Sequence, residues 1–195
     1  MDKISQHFKK VDPIIYELSK KTGIDKLQSS TDYFHNLCRS ICSQQLSIIS
    51  AAAIFKRFKE LLKGELTPKK VLDTKDQKLR KVGFSGTKVS YLKDLAFKIN
   101  NDEIIFEKFL AMKNAQVIGE LTKVKGIGVW TAEMFLMTSL GREDVFSYGD
   151  LGLKNSIIKH YKMIKPNKEQ LEKLVGKWSP YRTYAARILW KSLNF

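Results

Sequence analysis

Residues 121–150 read LTKVKGIGVWTAEMFLMTSLGREDVFSYGD, and the fold turns on how this stretch divides. Gly126-Ile127-Gly128 lies between two helical patterns, Trp130 follows closely, and Asp150 opens the next helix. Two glycines around one apolar residue let the backbone turn tightly and approach another backbone or a phosphate. They also leave amides at the start of the following helix, where the helix dipole favours an anion. The chain has 35 Lys and Arg against 20 Asp and Glu, a net charge of +15. The anion expected is therefore a DNA phosphate, although a Lys-rich solubilising surface would give the same total.

Outward from the hairpin, apolar residues recur at helical spacing almost throughout. Residues 3–22 carry one amphipathic pattern, in which Pro13 is tolerable only as a kink or a new helix start. Thr31-Asp32 reads as a cap before a stripe through Phe34, Leu37, Cys38, Ile41 and Cys42. Further helices are expected from Ser47 to Leu62, from Thr67-Pro68 to Leu72, from Gln77 to Val82, and from Ser85 or Thr87 through Ile99. Short helices near 103–111 and 114–122 precede the hairpin. After it come a helix over 129–140, a loop over 142–149, a helix from Asp150 to Tyr161, and helices over 167–176 and 180–193. No alternating run marks a strand pair, so the sequence predicts an all-α protein.

At 195 residues and 43% apolar composition, the chain can bury one substantial core, divided into two lobes or not. No apolar run reaches the roughly 18 residues of a membrane span, and MDKISQHFKK has no signal-peptide core. The protein is expected to be soluble and intracellular, in the cytoplasm or nucleoid of a prokaryote or the nucleus of a eukaryote. Cys38 and Cys42 cannot complete a four-ligand zinc or iron–sulfur site and read as two reduced, buried thiols. His7, His35 and His160 show no ligand spacing.

Four segments together carry a resemblance. They are Ile41-x-x-Gln44-Gln45-Leu46-Ser47; Gly83-Phe84-Ser85 with Lys88, Tyr91, Leu92 and Ala96; Leu121 to Phe135 continuing through Asp144-Val145-Phe146 to Asp150-Leu151-Gly152; and Trp178-x-Pro180-x-Arg182-x-x-Ala185-x-x-x-Leu189-Trp190. With these the sequence resembles the helix–hairpin–helix DNA glycosylase superfamily, in particular its 3-methyladenine DNA glycosylase II branch. The match runs from about residue 30 to the C-terminus. Ser147 stands where many relatives have proline, and Lys125 where other branches do; neither change removes a catalytic group. The resemblance implies one all-α, two-lobed glycosylase unit over 1–195. Its central lobe would span about 40–120, its second lobe about 1–39 plus 121–195, and a cleft between them would hold the site.

The resemblance places the catalytic carboxylate at Asp150. Breaking an N-glycosidic bond develops oxocarbenium-like charge, which a fixed carboxylate stabilises while orienting or deprotonating the attacking water. An aspartate after Gly149 is by itself an ordinary N-cap, and the two roles are compatible. Trp130 stands where strand-cleaving members have the lysine that forms a Schiff base, which implies a monofunctional enzyme using water. Its π face suits a cationic alkylated base, while a core aromatic is the other reading. Trp190 aligns with a second aromatic of the base pocket, Gln44 with a pocket-facing residue, and Met134 lies one turn beyond Trp130, in the pocket or in the core. Gln45 matches the intercalating position that fills the gap left by a flipped nucleotide; alone, the two glutamines also read as a polar turn.

The amides of Gly126 and Gly128, with Lys123 and Lys125, are expected on a DNA phosphate. The carbonyls of Thr122, Val124 and Ile127 match a site for a monovalent cation, Na+ or K+. Trp178 and Arg182 read as structural, with Pro180 starting the last helix and Arg182 tying it to a neighbouring loop. The implied activity is hydrolytic release of alkylated purines, 3-methyladenine first, from damaged double-stranded DNA. It proceeds by base flipping in base excision repair, leaves an abasic site, and needs no cofactor and no iron–sulfur cluster. A monomer is the default expectation. Two rivals stand beside it: a non-catalytic helix–hairpin–helix DNA-binding protein, opposed by Asp150, and a bifunctional glycosylase-lyase for oxidised bases, opposed by Trp130.

Overall fold

Side-chain caps decide where most helices begin. In the computed structural model, which describes residues 3–194, α1 (Lys3–Val11) stops short of Pro13. Asp12 then caps α2 (Pro13–Thr22) by accepting from the amides of Ile14 and Ile15, so Pro13 starts a helix instead of kinking one. Asp32 caps α3 (Tyr33–Ser43), Ser47 caps α4 (Ile48–Leu61) and Thr67 caps α5 (Pro68–Asp73). After α6 (Asp76–Val82), Ser85 is the residue that caps α7 (Gly86–Asn100). A 3-10 turn (Phe106–Leu110) and α8 (Asn114–Leu121) lead to the hairpin and α9 (Val129–Thr138). Asp150 caps α10 (Leu151–Tyr161) and Asn167 caps α11 (Lys168–Gly176); α12 (Arg182–Lys191) and a last 3-10 turn follow. The described residues contain no strand, and no helix among them is long and apolar enough to cross a membrane.

The chain separates into two compact units, Ser30–Phe135 and Met1–Ser29 with Leu136–Phe195, and the division falls inside α9. The central unit is thus wider than the 40–120 of the sequence reading, taking in α3 and the hairpin. The reason is aromatic packing that local pattern does not show. Tyr33 meets both Phe106 and Phe135 with ring centroids 5.5 Å apart, and Phe109 meets Phe135 at 6.1 Å. The same unit buries Leu37, Ile41, Phe58, Leu79, Leu92, Leu95 and Leu121. Cys38 and Cys42 are free thiols in this core, and burial pushes both up from the ordinary thiol value, which makes them poor nucleophiles.

The other unit packs α2, α10 and α12 around Phe8, Ile15, Leu153, Ile157, Val175, Trp178 and Leu189. Trp178 is fully buried, and its indole donates to Asp12 Oδ2 at 2.8 Å; the Tyr161 hydroxyl donates to the same oxygen at 2.7 Å. Asp12 therefore satisfies two helix amides and two buried side chains at once. Burial, and then the Asp12 carboxylate, hold the Tyr161 hydroxyl far above the ordinary phenol range, so it stays a donor.

Helix α12 begins at Arg182 and not at Pro180, because its first residues are committed to the 142–149 loop. Arg182 forks onto Asp144, Nε to Oδ1 at 2.6 Å and Nη2 to Oδ2 at 2.8 Å, and Ser179 adds a bond of 2.8 Å. The Thr183 amide donates to the Glu143 carbonyl at 2.9 Å. Its hydroxyl donates to the Arg142 carbonyl at 2.6 Å and accepts from the Val145 amide at 3.0 Å. This is the tie from Arg182 to a neighbouring loop that the sequence suggests, with Thr183 as an unforeseen second anchor.

Asp12→Ala strands the Trp178 and Tyr161 donors in the core, and is expected to lower the urea unfolding midpoint by more than about 1 M. Asp144 offers a pH test, because the Arg182 guanidinium holds its carboxyl below the usual carboxylate value. Its pairing stabilises the fold above the unfolded value of about 3.9 and is lost as pH falls through the folded value. Arg182→Met should therefore melt below wild type at neutral pH, by about 1 kcal/mol or less for so exposed a pair, with the gap closing on acidification. A gap independent of pH would show that the fork contributes packing and not charge.

Candidate active site

Asp150 ends the 142–149 loop and opens α10, and two donors from different helices meet on one of its oxygens. Oδ1 accepts from the Leu153 amide at 2.8 Å and from the Trp190 indole N–H at 3.0 Å. The Asp150 amide donates to the Ser147 carbonyl at 3.2 Å, closing the turn before the helix. The residue is 9% exposed, so the carboxylate is held in a nearly water-free setting with its plane fixed. A cap alone would leave it free to turn about the capping bond; the indole removes that freedom.

Gly152 belongs to this arrangement, although the sequence offers it only as part of a motif. A Cβ there would come within 3.1 Å of Asp150 Oδ1 and 3.4 Å of Trp190 Cδ1. The available signal is a glycine in the first turn of a helix, which costs stability relative to alanine and so points to a demand for space. Trp190, assigned by the resemblance to the base pocket, is half-buried and also lines a cavity of about 560 Å³ with Asp25, Gln28, Met137 and Arg187. Asp25 pairs with Lys191 at 2.6 Å, fastening the segment before Ser29 to α12.

In the Ser30–Phe135 unit the glutamine turn and the hairpin are joined directly. The Gln44 side-chain amide donates to the Gly126 carbonyl at 2.8 Å, so this residue is engaged with the hairpin backbone. Gln45 is exposed and holds φ at 55°, a left-handed conformation that costs a non-glycine residue about 1–2 kcal/mol. Lys63, Asp102, Lys162 and Lys165 share this left-handed conformation. Gly126 has φ 79°, and a Cβ there would overlap the Tyr91 ring, so this position admits glycine alone. Ile127 is buried and its amide donates to the Val124 carbonyl at 3.1 Å, closing the hairpin.

The remaining assigned residues sit on these elements as follows. Lys123 spans both oxygens of Glu120 at 2.8 Å; the pair is exposed, so a phosphate can displace the carboxylate at little cost. Lys125 is exposed, and so is Gly128. The Thr122 hydroxyl bonds back to the Ile118 carbonyl at 2.8 Å. Of the three carbonyls assigned to a cation, that of Val124 already accepts from the Ile127 amide at 3.1 Å. Trp130 is 49% exposed, which excludes a fully buried core aromatic, and Met134, one turn on, is partly buried.

Comparison with known proteins identifies the family and the fold. The profile of the HhH-GPD superfamily base excision DNA repair proteins matches residues 38–180. DNA-3-methyladenine glycosylase 1 of Schizosaccharomyces pombe is 37% identical over 163 residues, 82% of this chain and 72% of that protein. The crystal structure of a DNA-3-methyladenine glycosidase from Bacillus halodurans superposes with a TM-score of 0.89 at 34% identity, covering 98% of this chain and 89% of that one. A 3-methyladenine DNA glycosylase from S. pombe in complex with abasic DNA does so with a TM-score of 0.85 at 33% identity, over 100% of this chain and 98% of that one. Sequence and fold agree, and the chain belongs to the HhH-GPD superfamily of base excision DNA repair proteins.

Proposed function

We infer that this protein is a monofunctional DNA glycosylase that hydrolyses the N-glycosidic bond of alkylated purines, 3-methyladenine first, in damaged duplex DNA. The observation that carries the reading is the Asp150 carboxylate, buried and oriented by both a helix amide and the Trp190 indole. A negative charge fixed in low dielectric is worth most against the positive charge that builds on the sugar as the bond breaks. The same group can orient water for attack and accept its proton. The 3-methyladenine glycosylases among its relatives support the substrate class.

Alkylated purines suit so spare a site. N-alkylation leaves the base electron-poor and already a good leaving group, so stacking and one carboxylate suffice. The exposed indole of Trp130 offers the π face for that base. It has no amine, so the covalent Schiff-base route of a lyase has no nucleophile at this position. The reading requires that Gln45 fill the space the flipped nucleotide leaves, while Gly126, Gly128, Lys123 and Lys125 hold a phosphate nearby. We propose that a monovalent cation, Na+ or K+, rests on the Thr122, Val124 and Ile127 carbonyls, where it would supply positive charge towards that phosphate. The protein is taken to act as a monomer.

The test is base release from methylated duplex DNA, with abasic sites and strand breaks counted separately. Wild type is expected to release methylpurines without breaks. Asp150→Asn should lose at least about 100-fold of this rate while still binding DNA. Breaks accompanied by borohydride-trapped adduct would replace the reading with a lyase, and DNA binding without release would leave a binding module. Trp190→Phe keeps the carboxylate but removes the indole donor, so single-turnover release should fall about tenfold with DNA affinity little changed. An unchanged rate would show that the indole does not position Asp150.

A further inference from the structure

The glutamine turn and the hairpin are both fastened to one face of α7, where Lys88, Tyr91 and Asp94 follow each other at helical spacing. The Lys88 ammonium donates to the Cys42 carbonyl at 2.8 Å and to the Gln44 carbonyl at 2.6 Å. These carbonyls lie at the C-terminal end of α3, where the helix dipole favours a cation. The Tyr91 ring lies against Gly126. Asp94 accepts from the Lys125 amide at 2.9 Å. The Gln44 amide, bonded to the Gly126 carbonyl at 2.8 Å, closes the circuit from turn to hairpin.

We propose that Lys88 is a positioning residue: through the α3 carbonyls it sets the strained turn at Gln45 and aims the Gln44 amide at the hairpin, so that filling the gap and gripping the phosphate happen on one rigid brace. The inference rests on the proposed function, since it takes Gln45 as the side chain that enters the gap. Its physical basis does not. A φ of 55° at Gln45 has to be over-determined by its surroundings, and the ammonium does this by holding carbonyls on either side of Ser43. A neutral residue at 88 would leave those carbonyls with one donor fewer, and the turn could relax to ordinary backbone. Gln44 would then lose its aim. Burial pushes the Lys88 ammonium down from the usual lysine value, a cost that its two carbonyl partners offset.

The brace predicts selectivity, which a merely stabilising contact would not. Hairpin contacts alone hold undamaged duplex, whereas a duplex with an abasic-site analogue also takes the wedge. In the full-length protein, Lys88→Met should weaken binding to the abasic duplex by about tenfold while changing undamaged-duplex affinity by less than about threefold. Lys88→Arg, which keeps a cationic head with several donors, should recover most of the preference. Gln44→Leu cuts the other link and should show the same selective loss, with the double variant no worse than either single one. Hydrogen exchange on the free protein is independent of DNA: Lys88→Met should speed exchange at both the Leu46 and Ile127 amides, and leave Ala185 in α12 unchanged. Equal loss on both duplexes, or faster exchange confined to Leu46 with Ile127 unaffected, would overturn the proposal. Wild type showing no preference for the abasic duplex would overturn the proposed function, and the exchange pattern would still judge the brace.

Discussion

On the proposed function, the site depends on one carboxylate doing two jobs. As the N-cap of α10, Asp150 satisfies a helix amide that would otherwise lack a partner, an interaction worth about 1 kcal/mol. That bond holds the carboxylate in the folded state whether or not substrate is present. Orientation is thus supplied by folding and costs nothing at the moment of reaction. The arrangement succeeds only if the residues before the helix are equally fixed, because a cap on a wandering loop aims at nothing. This accounts for the density of bonds from Arg182, Thr183 and Tyr184 to residues 142–145, all from the start of α12. The far end of the same helix supplies the Trp190 donor. One helix therefore secures both the approach to Asp150 and its final orientation.

Two glycines mark where backbone or side chain has come as close as chemistry allows. At Gly126 the limit is conformational and steric together: φ 79° with the Tyr91 ring packed against the Cα. At Gly152 it is steric alone, set by the Asp150 oxygen and the Trp190 ring. Each permits a neighbour to be held more tightly than any larger residue would allow, which is preorganisation achieved by removing atoms.

The sequence was most legible where structure is local. Caps at Asp32, Thr67 and Asp150 are visible because each bonds to an amide three residues on, so the signal and its consequence lie in one short window. Asp150 and the hairpin glycines could be singled out from their motif. What could not be read depends on separation in sequence. The 121–135 segment joins the central unit because Phe135 packs with Tyr33, about a hundred residues earlier, and no periodicity carries that information. Asp12 is not singled out by the sequence, yet it caps α2 and also receives Trp178, 166 positions away. Thr183 and Lys88 look like ordinary helix residues, since the carbonyls they bind are backbone groups with no residue-type signature. The Gln44 amide was read as facing a base, and its bond to Gly126 is a further case of a backbone partner that sequence does not reveal.

Net charge of +15 raises a different question, because attraction to phosphate does not distinguish damaged from intact DNA. The more affinity the surface supplies, the longer the protein stays on undamaged duplex, and the greater the discrimination asked of the few residues that can sense a lesion. Stacking on an exposed indole is tolerant, since every base has a π face. Discrimination must then come from the balance between unstacking a base and filling its place, and from how readily its glycosidic bond breaks once outside the helix. A cationic alkylated purine is favoured on both counts, by its attraction to the aromatic face and by its quality as a leaving group. On the proposed brace, a turn already ordered before DNA arrives would shift the first balance, because less conformational entropy is lost on insertion. A single fixed carboxylate shifts the second without assisting a neutral, poorly leaving base to the same degree. Selectivity on the proposed function follows from that difference: a carboxylate that stabilises charge on the sugar helps most where the base already leaves readily.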